Sequence, residues 1–112
     1  MKTINIEIGM PNSQEAMTTL NNRIYAERAS GTSMVKIIHG YGSTGKGGTI
    51  RKVCRQKLLE YRRRWIIKDI CCGEDLTPFS EEGRRFAEKH PEIRKDSDWG
   101  MGNPGVTIVA FK

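Results

Sequence analysis

The hydrophobic pattern changes period several times along the chain, and each change marks an element. From Lys2 to Ile8 the apolar positions alternate: Ile4, Ile6 and Ile8 face one way, Thr3, Asn5 and Glu7 the other. Alternation of this kind predicts a half-buried strand at or near a sheet edge. Met10-Pro11 ends it. Asn12 followed by Glu15 has the spacing of a capping box, and Ala16, Met17, Leu20 and Ile24 then recur at helical spacing. The pattern predicts an amphipathic helix from Ser13 to about Ala29, stopped by Gly31. Met34 to Ile38 is apolar apart from Lys36, as a central strand covered on both faces would be.

A helical stripe resumes with Ile50, Val53, Cys54, Leu58 and Tyr61, and Trp65 to Ile70 reads as a third strand. Residues 73 to 105 are too many for a bare loop in a compact domain. Inside them, Ser80 is placed to cap a short helix through Phe86 and Ala87 that ends near His90-Pro91. Arg94 to Asn103 reads as loop, with Trp99 a lid over the core. Val106 to Phe111 is apolar throughout, a last buried strand. The order is strand, helix, strand, helix, strand, insertion with a short helix, strand. The economical packing is an α/β (α+β) two-layer sandwich: a four-stranded mixed sheet with the two main helices on one face. The helical crossovers make the first strands parallel, and the irregular connection allows the last strand to run antiparallel.

With 112 residues, the chain reads as one domain, 1–112, with an insertion at about 73–103. A hydrophobic fraction of 37% and a charged fraction of 29% describe a globular protein. No apolar run approaches the ~20 residues that span a bilayer, and the first residues lack the apolar core of a signal peptide. Three cysteines, Cys54, Cys71 and Cys72, make no disulfide framework and, with only His39 and His90 beside them, no zinc set. Reduced thiols and a cytoplasmic location are the expectation. The net charge of +6 and a pI near 9.5 point to a polyanionic partner, most often nucleic acid.

Between the second strand and the second helix lie five glycines in nine residues: Gly40, Gly42, Gly45, Gly47 and Gly48. Strand, glycine loop and helix start are the usual parts of a phosphate cradle, because glycines admit close backbone approach and the first helical N–H groups favour an anion. Gly40-Tyr-Gly42-Ser-Thr-Gly45 fits the dinucleotide pattern G-x-G-x-x-G, but that fold needs a larger sheet and a second half. Gly40 to Lys46 begins like a nucleotide-hydrolase phosphate loop, yet Gly47 stands where a Ser or Thr should hold the metal. Arg51, Arg55 and Arg62 fall close to one line on the polar side of the helix that follows.

Neither pattern accounts for His39. Ile37-Ile38-His39-Gly40-Tyr41-Gly42 resembles the H-G-x-G signature of the Smr (small MutS-related) domain. The resemblance extends to Ile6-Glu7-Ile8-Gly9-Met10 followed by Glu15-Ala16, and to the closing Gly105-Val-Thr107-Ile-Val109-Ala-Phe111. It implies a stand-alone, bacterial-type domain that binds DNA or RNA and in some members cleaves it. It also implies a phosphate-binding surface of Gly40, Tyr41, Gly42, Gly45, Lys46, Gly47, Gly48, Arg51, Arg55 and Arg62. Tyr41 is placed to stack on a base. His39 would exchange protons with the substrate, with Glu7 as its partner or orienting group. Where many members carry Asp and His on the first strand, this chain has Glu7 and Gly9, so His39 is the one histidine near the loop.

Three readings stay open at this level: a DNA/RNA endonuclease, a non-catalytic binding or adaptor module for structured RNA, ribosomes or branched DNA, and a small phosphate-ligand enzyme. No cofactor is expected, a divalent cation is left to experiment, and the protein is expected to be a monomer or a weak homo-oligomer.

Overall fold

A computed structural model describes residues 1–41 and 47–112. Four strands, β1 (Lys2–Asn5), β2 (Met34–Ile38), β3 (Asp69–Cys72) and β4 (Val106–Ala110), form one sheet in the order β1-β2-β4-β3. The helices are α1 (Ser13–Ala29), α2 (Gly47–Arg63) and α3 (Glu81–Lys89). β1 and β2 are parallel, while β4 runs antiparallel to both β2 and β3. The architecture is the expected α+β fold with a four-stranded mixed sheet. β1 is an edge strand and β2 is central.

Helices α1 and α2 cover one face. Their apolar stripes (Ala16, Leu20 and Ile24; Ile50, Cys54, Leu58 and Tyr61) pack on Ile4, Ile6, Val35, Ile37 and Val109. Both halves of the capping box form at the start of α1, where Asn12 Oδ1 accepts from Glu15 N and Glu15 Oε1 from Asn12 N. The insertion covers the other face: Leu76, Phe86, Ala87 and Ile93 pack on Met34, Cys71, Ile108 and Ala110, with Trp99 against them. It thus adds a third, smaller layer to the two expected. Ser80 caps α3 through a bond from Gly83 N, 2.8 Å.

Lys36, the one charge in β2, points into this second layer. It pairs with Asp96 at 2.7 Å and Asp98 at 2.5 Å, all three side chains at most 16% exposed. Two acids of the stretch that reads as loop in the sequence are therefore partners of a strand lysine. Burial pulls the Lys36 ammonium toward losing its proton, and the bonds to both carboxylates outweigh that and hold its pKa above the usual value.

Two boundaries differ from the sequence reading. β1 stops at Asn5, because Asn5 Oδ1 accepts from Glu7 N and the chain turns through Gly9 (φ +81°) and Met10 (φ +52°), leaving Ile8 77% exposed. The stretch from Trp65 to Lys68 is not strand. Trp65 adopts φ +60° as α2 closes with Trp65 N bonded to Arg62 O and Ile66 N to Tyr61 O. That bond pair is a Schellman closure, with a tryptophan in the left-handed position that glycine usually occupies. Ile66 and Ile67 then fill the core under the helix end rather than extending the ladder.

Candidate nucleic-acid interface

The site grows from the end of β2. His39 N and Gly40 N both donate to Gly105 O, at 3.0 and 3.1 Å, which ties the strand end to the start of β4. His39 continues the alternation of Val35 and Ile37, so its ring enters the layer under α2, where it is fully buried. Nδ1 lies 2.7 Å from Gly40 O and Nε2 2.8 Å from Thr107 Oγ1. A carbonyl oxygen only accepts, so the network places the proton on Nδ1 and leaves Nε2 to accept from the Thr107 hydroxyl. Thr107 Oγ1 in turn accepts from Arg55 Nε at 3.1 Å. The result is one directed chain, Arg55 to Thr107 to His39 to Gly40.

Both ring nitrogens of His39 are engaged. Burial first, and then the charges of Arg55 and Arg51, push the His39 pKa down to about 4 against the pull of its bond to Gly40. The ring is neutral near pH 7. Arg55 is equally committed: beyond Thr107 it forks onto Glu74, with Nη1 and Nη2 at 2.8 and 2.6 Å from the two carboxylate oxygens. Its Nη2 also reaches Pro104 O and Val106 O at 3.4 and 3.3 Å. Arg55 is thus committed to Glu74, Thr107 and two backbone carbonyls. Burial would raise the Glu74 pKa, but the Arg55 bonds prevail and lower it.

Glu7 does not partner His39. It follows the parity of Thr3 and lines a groove of about 350 Å³ on the opposite face of the sheet, with Lys36, Ile38, Tyr41, Asp98 and Asn103. Its carboxylate rests on Gly40 so closely that a Cβ there would meet an oxygen at 2.3 Å. The two residues nominated for proton transfer are thus separated by the sheet, and the strand pairing that makes β1 and β2 neighbours is what separates them. The pleat sends successive side chains to opposite faces.

The remaining expected contacts divide by position. Gly42, Gly45 and Lys46 lie outside the described residues. Gly47 and Gly48 open α2, whose first turn carries no acidic residue. Arg51 is half-buried one turn further on, and Tyr41 is 55% exposed beside Gly105. Arg62 is exposed but eleven residues beyond Arg51, ~16 Å along the helix axis, and belongs to the far end of α2. Along its length α2 holds six cations, Arg51, Lys52, Arg55, Lys57, Arg62 and Arg63, against Glu60 alone. That surplus of five accounts for most of the chain's net charge of +6.

Thr107 and Glu74 are the residues that sequence reasoning missed. Thr107 sat in view within the closing Gly105-x-Thr107 pattern, but nothing local joins it to a histidine 68 positions earlier. Glu74, beside Asp75 after the third strand, reads in the sequence only as part of an acidic pair too isolated to make a metal site.

Among the described residues no cluster of three or more His, Cys, Asp or Glu side chains is arranged to hold a metal ion, and no helix is long and apolar enough to cross a membrane.

The model of the Smr domain family matches residues 8–71. The chain belongs to the Smr domain family. The matched segment runs from the β1 turn through α1, β2 and α2 to the third residue of β3, so the buried His39 and the basic helix lie inside it. The insertion and β4 lie beyond it. No curated protein and no solved structure matches the chain. Smr membership indicates a nucleic-acid-binding or endonuclease-type function in general terms.

Proposed function

We propose that this Smr domain binds nucleic acid through backbone phosphates at the N-terminal end of α2, and that His39 shapes the site rather than cutting the strand. The observation that carries this is the directed chain Arg55–Thr107–His39–Gly40. A general acid or base must reach the proton it moves. His39 is fully enclosed, both ring nitrogens are taken, and its pKa of about 4 keeps the ring neutral near pH 7 with its one N–H committed to Gly40 O.

What the chain does accomplish is placement. It fixes Gly40 and Tyr41 at the end of the central strand β2, immediately before the glycine-rich residues, and holds the first turn of a strongly basic helix beside them. The N–H groups at a helix start, the helix dipole and Arg51 together favour an anionic oxygen. Contacts of this kind recognise the polyanion backbone and not its sequence.

The test is a binding titration of labelled RNA and DNA over a salt series, with cleavage read on the same samples with and without a divalent cation. Affinity should fall steeply with salt, and Arg51→Ala should lower the slope of log K against log salt by about one. Salt-independent binding would sink the phosphate reading. Strand cleavage by the intact protein that disappears in His39→Gln would sink the assignment of His39 as a scaffold residue.

A further inference from the structure

At the opposite end of α2 the chain does something costly. Trp65 takes a left-handed backbone conformation, φ +60°, and leaves its side chain 80% exposed. A large side chain in that conformation is strained relative to glycine, which would close the helix equally well. Ile66 and Ile67 supply the buried apolar surface at this corner, and the indole contributes none of the core. Immediately before it stand Arg62, Arg63 and Arg64, all exposed. The three cations sit at a helix C-terminus, which explains their sign, but not why an indole is held out among them.

We infer that Trp65 with Arg62, Arg63 and Arg64 forms a second nucleic-acid contact, in which an unpaired base stacks on the indole while the arginines take the flanking phosphates. This deepens the reading of α2 as a nucleic-acid-binding helix and rests on it. Aromatic stacking and guanidinium contact to phosphate are the two devices by which single strands are held without regard to sequence, and here they adjoin. Continuity supports the same partner for both ends. The helix that starts at the glycine-rich stretch ends at Trp65, and its 17 residues span ~25 Å. At ~3.4 Å per stacked nucleotide, a strand lying along the helix covers that distance in about seven nucleotides. Arg62, which is too far from the loop to share its phosphate, has its role here.

The test uses Trp65→Gly and Trp65→Phe in the full chain, with single-stranded oligonucleotides of four to twelve bases and with phosphatidylserine vesicles. Trp65→Gly should melt at the same or a higher temperature than the wild type while binding a nine-base strand about tenfold more weakly. Trp65→Phe, which keeps a ring, should bind within about threefold of the wild type. Indole fluorescence of the wild type should be quenched by the oligonucleotide, and the quench should vanish in Trp65→Phe, which retains only Trp99. Affinity should rise with length and level off near seven to eight bases. Undiminished binding by Trp65→Gly, a quench that persists in Trp65→Phe, or vesicles that capture Trp65 and are not displaced by oligonucleotide would each overturn the inference. If Trp65→Gly weakens binding while Arg51→Ala does not, the second contact stands and the loop reading fails. Absence of any oligonucleotide binding overturns both.

Discussion

Arg55 of α2 and Glu74 of the turn after β3 meet in a two-pronged ion pair, 2.8 and 2.6 Å long, that clamps the insertion to the helix–sheet core of the fold at the very point where His39 is buried. The pair joins what would otherwise be two structures, the segment matched by the Smr family model and the 73–105 stretch beyond it. Removing Arg55 strands Glu74, frees the Thr107 hydroxyl and uncovers two backbone carbonyls. Arg55→Ala should therefore destabilise the fold by about 2–3 kcal/mol, a loss of roughly 10 °C or more in melting temperature for a domain of this size. Lysine should not rescue it, since a single ammonium cannot reproduce the fork. Thermal melts of both variants check this, and wild-type stability in Arg55→Ala would show that the network is idle.

His39 makes stability depend on pH in a predictable direction. Its folded pKa, about 4, lies below the unfolded value near 6.5, so the unfolded chain binds the extra proton. The contribution is complete above pH ~6.5 and is lost as pH falls from there to about 4, amounting to about 3 kcal/mol across that window. Denaturant melts at pH 7 and pH 5 of the wild type and His39→Gln should diverge accordingly. A flat pH profile in the wild type would contradict the burial that sets the pKa.

Lys36 between Asp96 and Asp98 should behave as a unit. Lys36→Ala leaves two carboxylates facing each other in a mostly buried site and should cost about 3–5 kcal/mol. Replacing all three by apolar or neutral residues of similar volume, such as Lys36→Met with Asp96→Asn and Asp98→Asn, should cost far less. A triple variant as unstable as Lys36→Ala would mean that the ion pairs contribute more than their desolvation takes away.

Gly83 lies inside α3, where alanine ordinarily stabilises a helix by about 1 kcal/mol. Here a Cβ would stand 2.2 Å from Asp75 O and 2.4 Å from Thr77 O, both backbone atoms. Gly83→Ala should destabilise by about 1–3 kcal/mol, reversing the helix-propensity sign, because the backbone must move to admit the methyl group. Calorimetry of the single variant decides between propensity and packing.

The sequence by itself determined the order and kind of the elements. Local rules were enough for the capping box at Asn12, the ends of α1, the apolar run of β2 and the Ser80 cap, since each depends on neighbours within one turn or one strand. It failed where a residue obeys a distant partner. Trp65 looked like the start of a strand because Trp-Ile-Ile has strand composition, and only the closure of α2 onto Tyr61 and Arg62 turns it outward. The family resemblance pairs His39 with Glu7, since both stand at the ends of neighbouring strands. Which face of the sheet each side chain enters depends on strand register, which no short motif encodes. Arg51, Arg55 and Arg62 looked alike on one helical line. The tertiary structure gave them three different surroundings: Arg51 beside the glycine-rich stretch, Arg55 locked to Glu74 and Thr107 across gaps of 19 and 52 residues, and Arg62 beside an exposed indole. Helical periodicity fixes direction around one axis, whereas function at each of these positions was decided by what the rest of the chain brought against it.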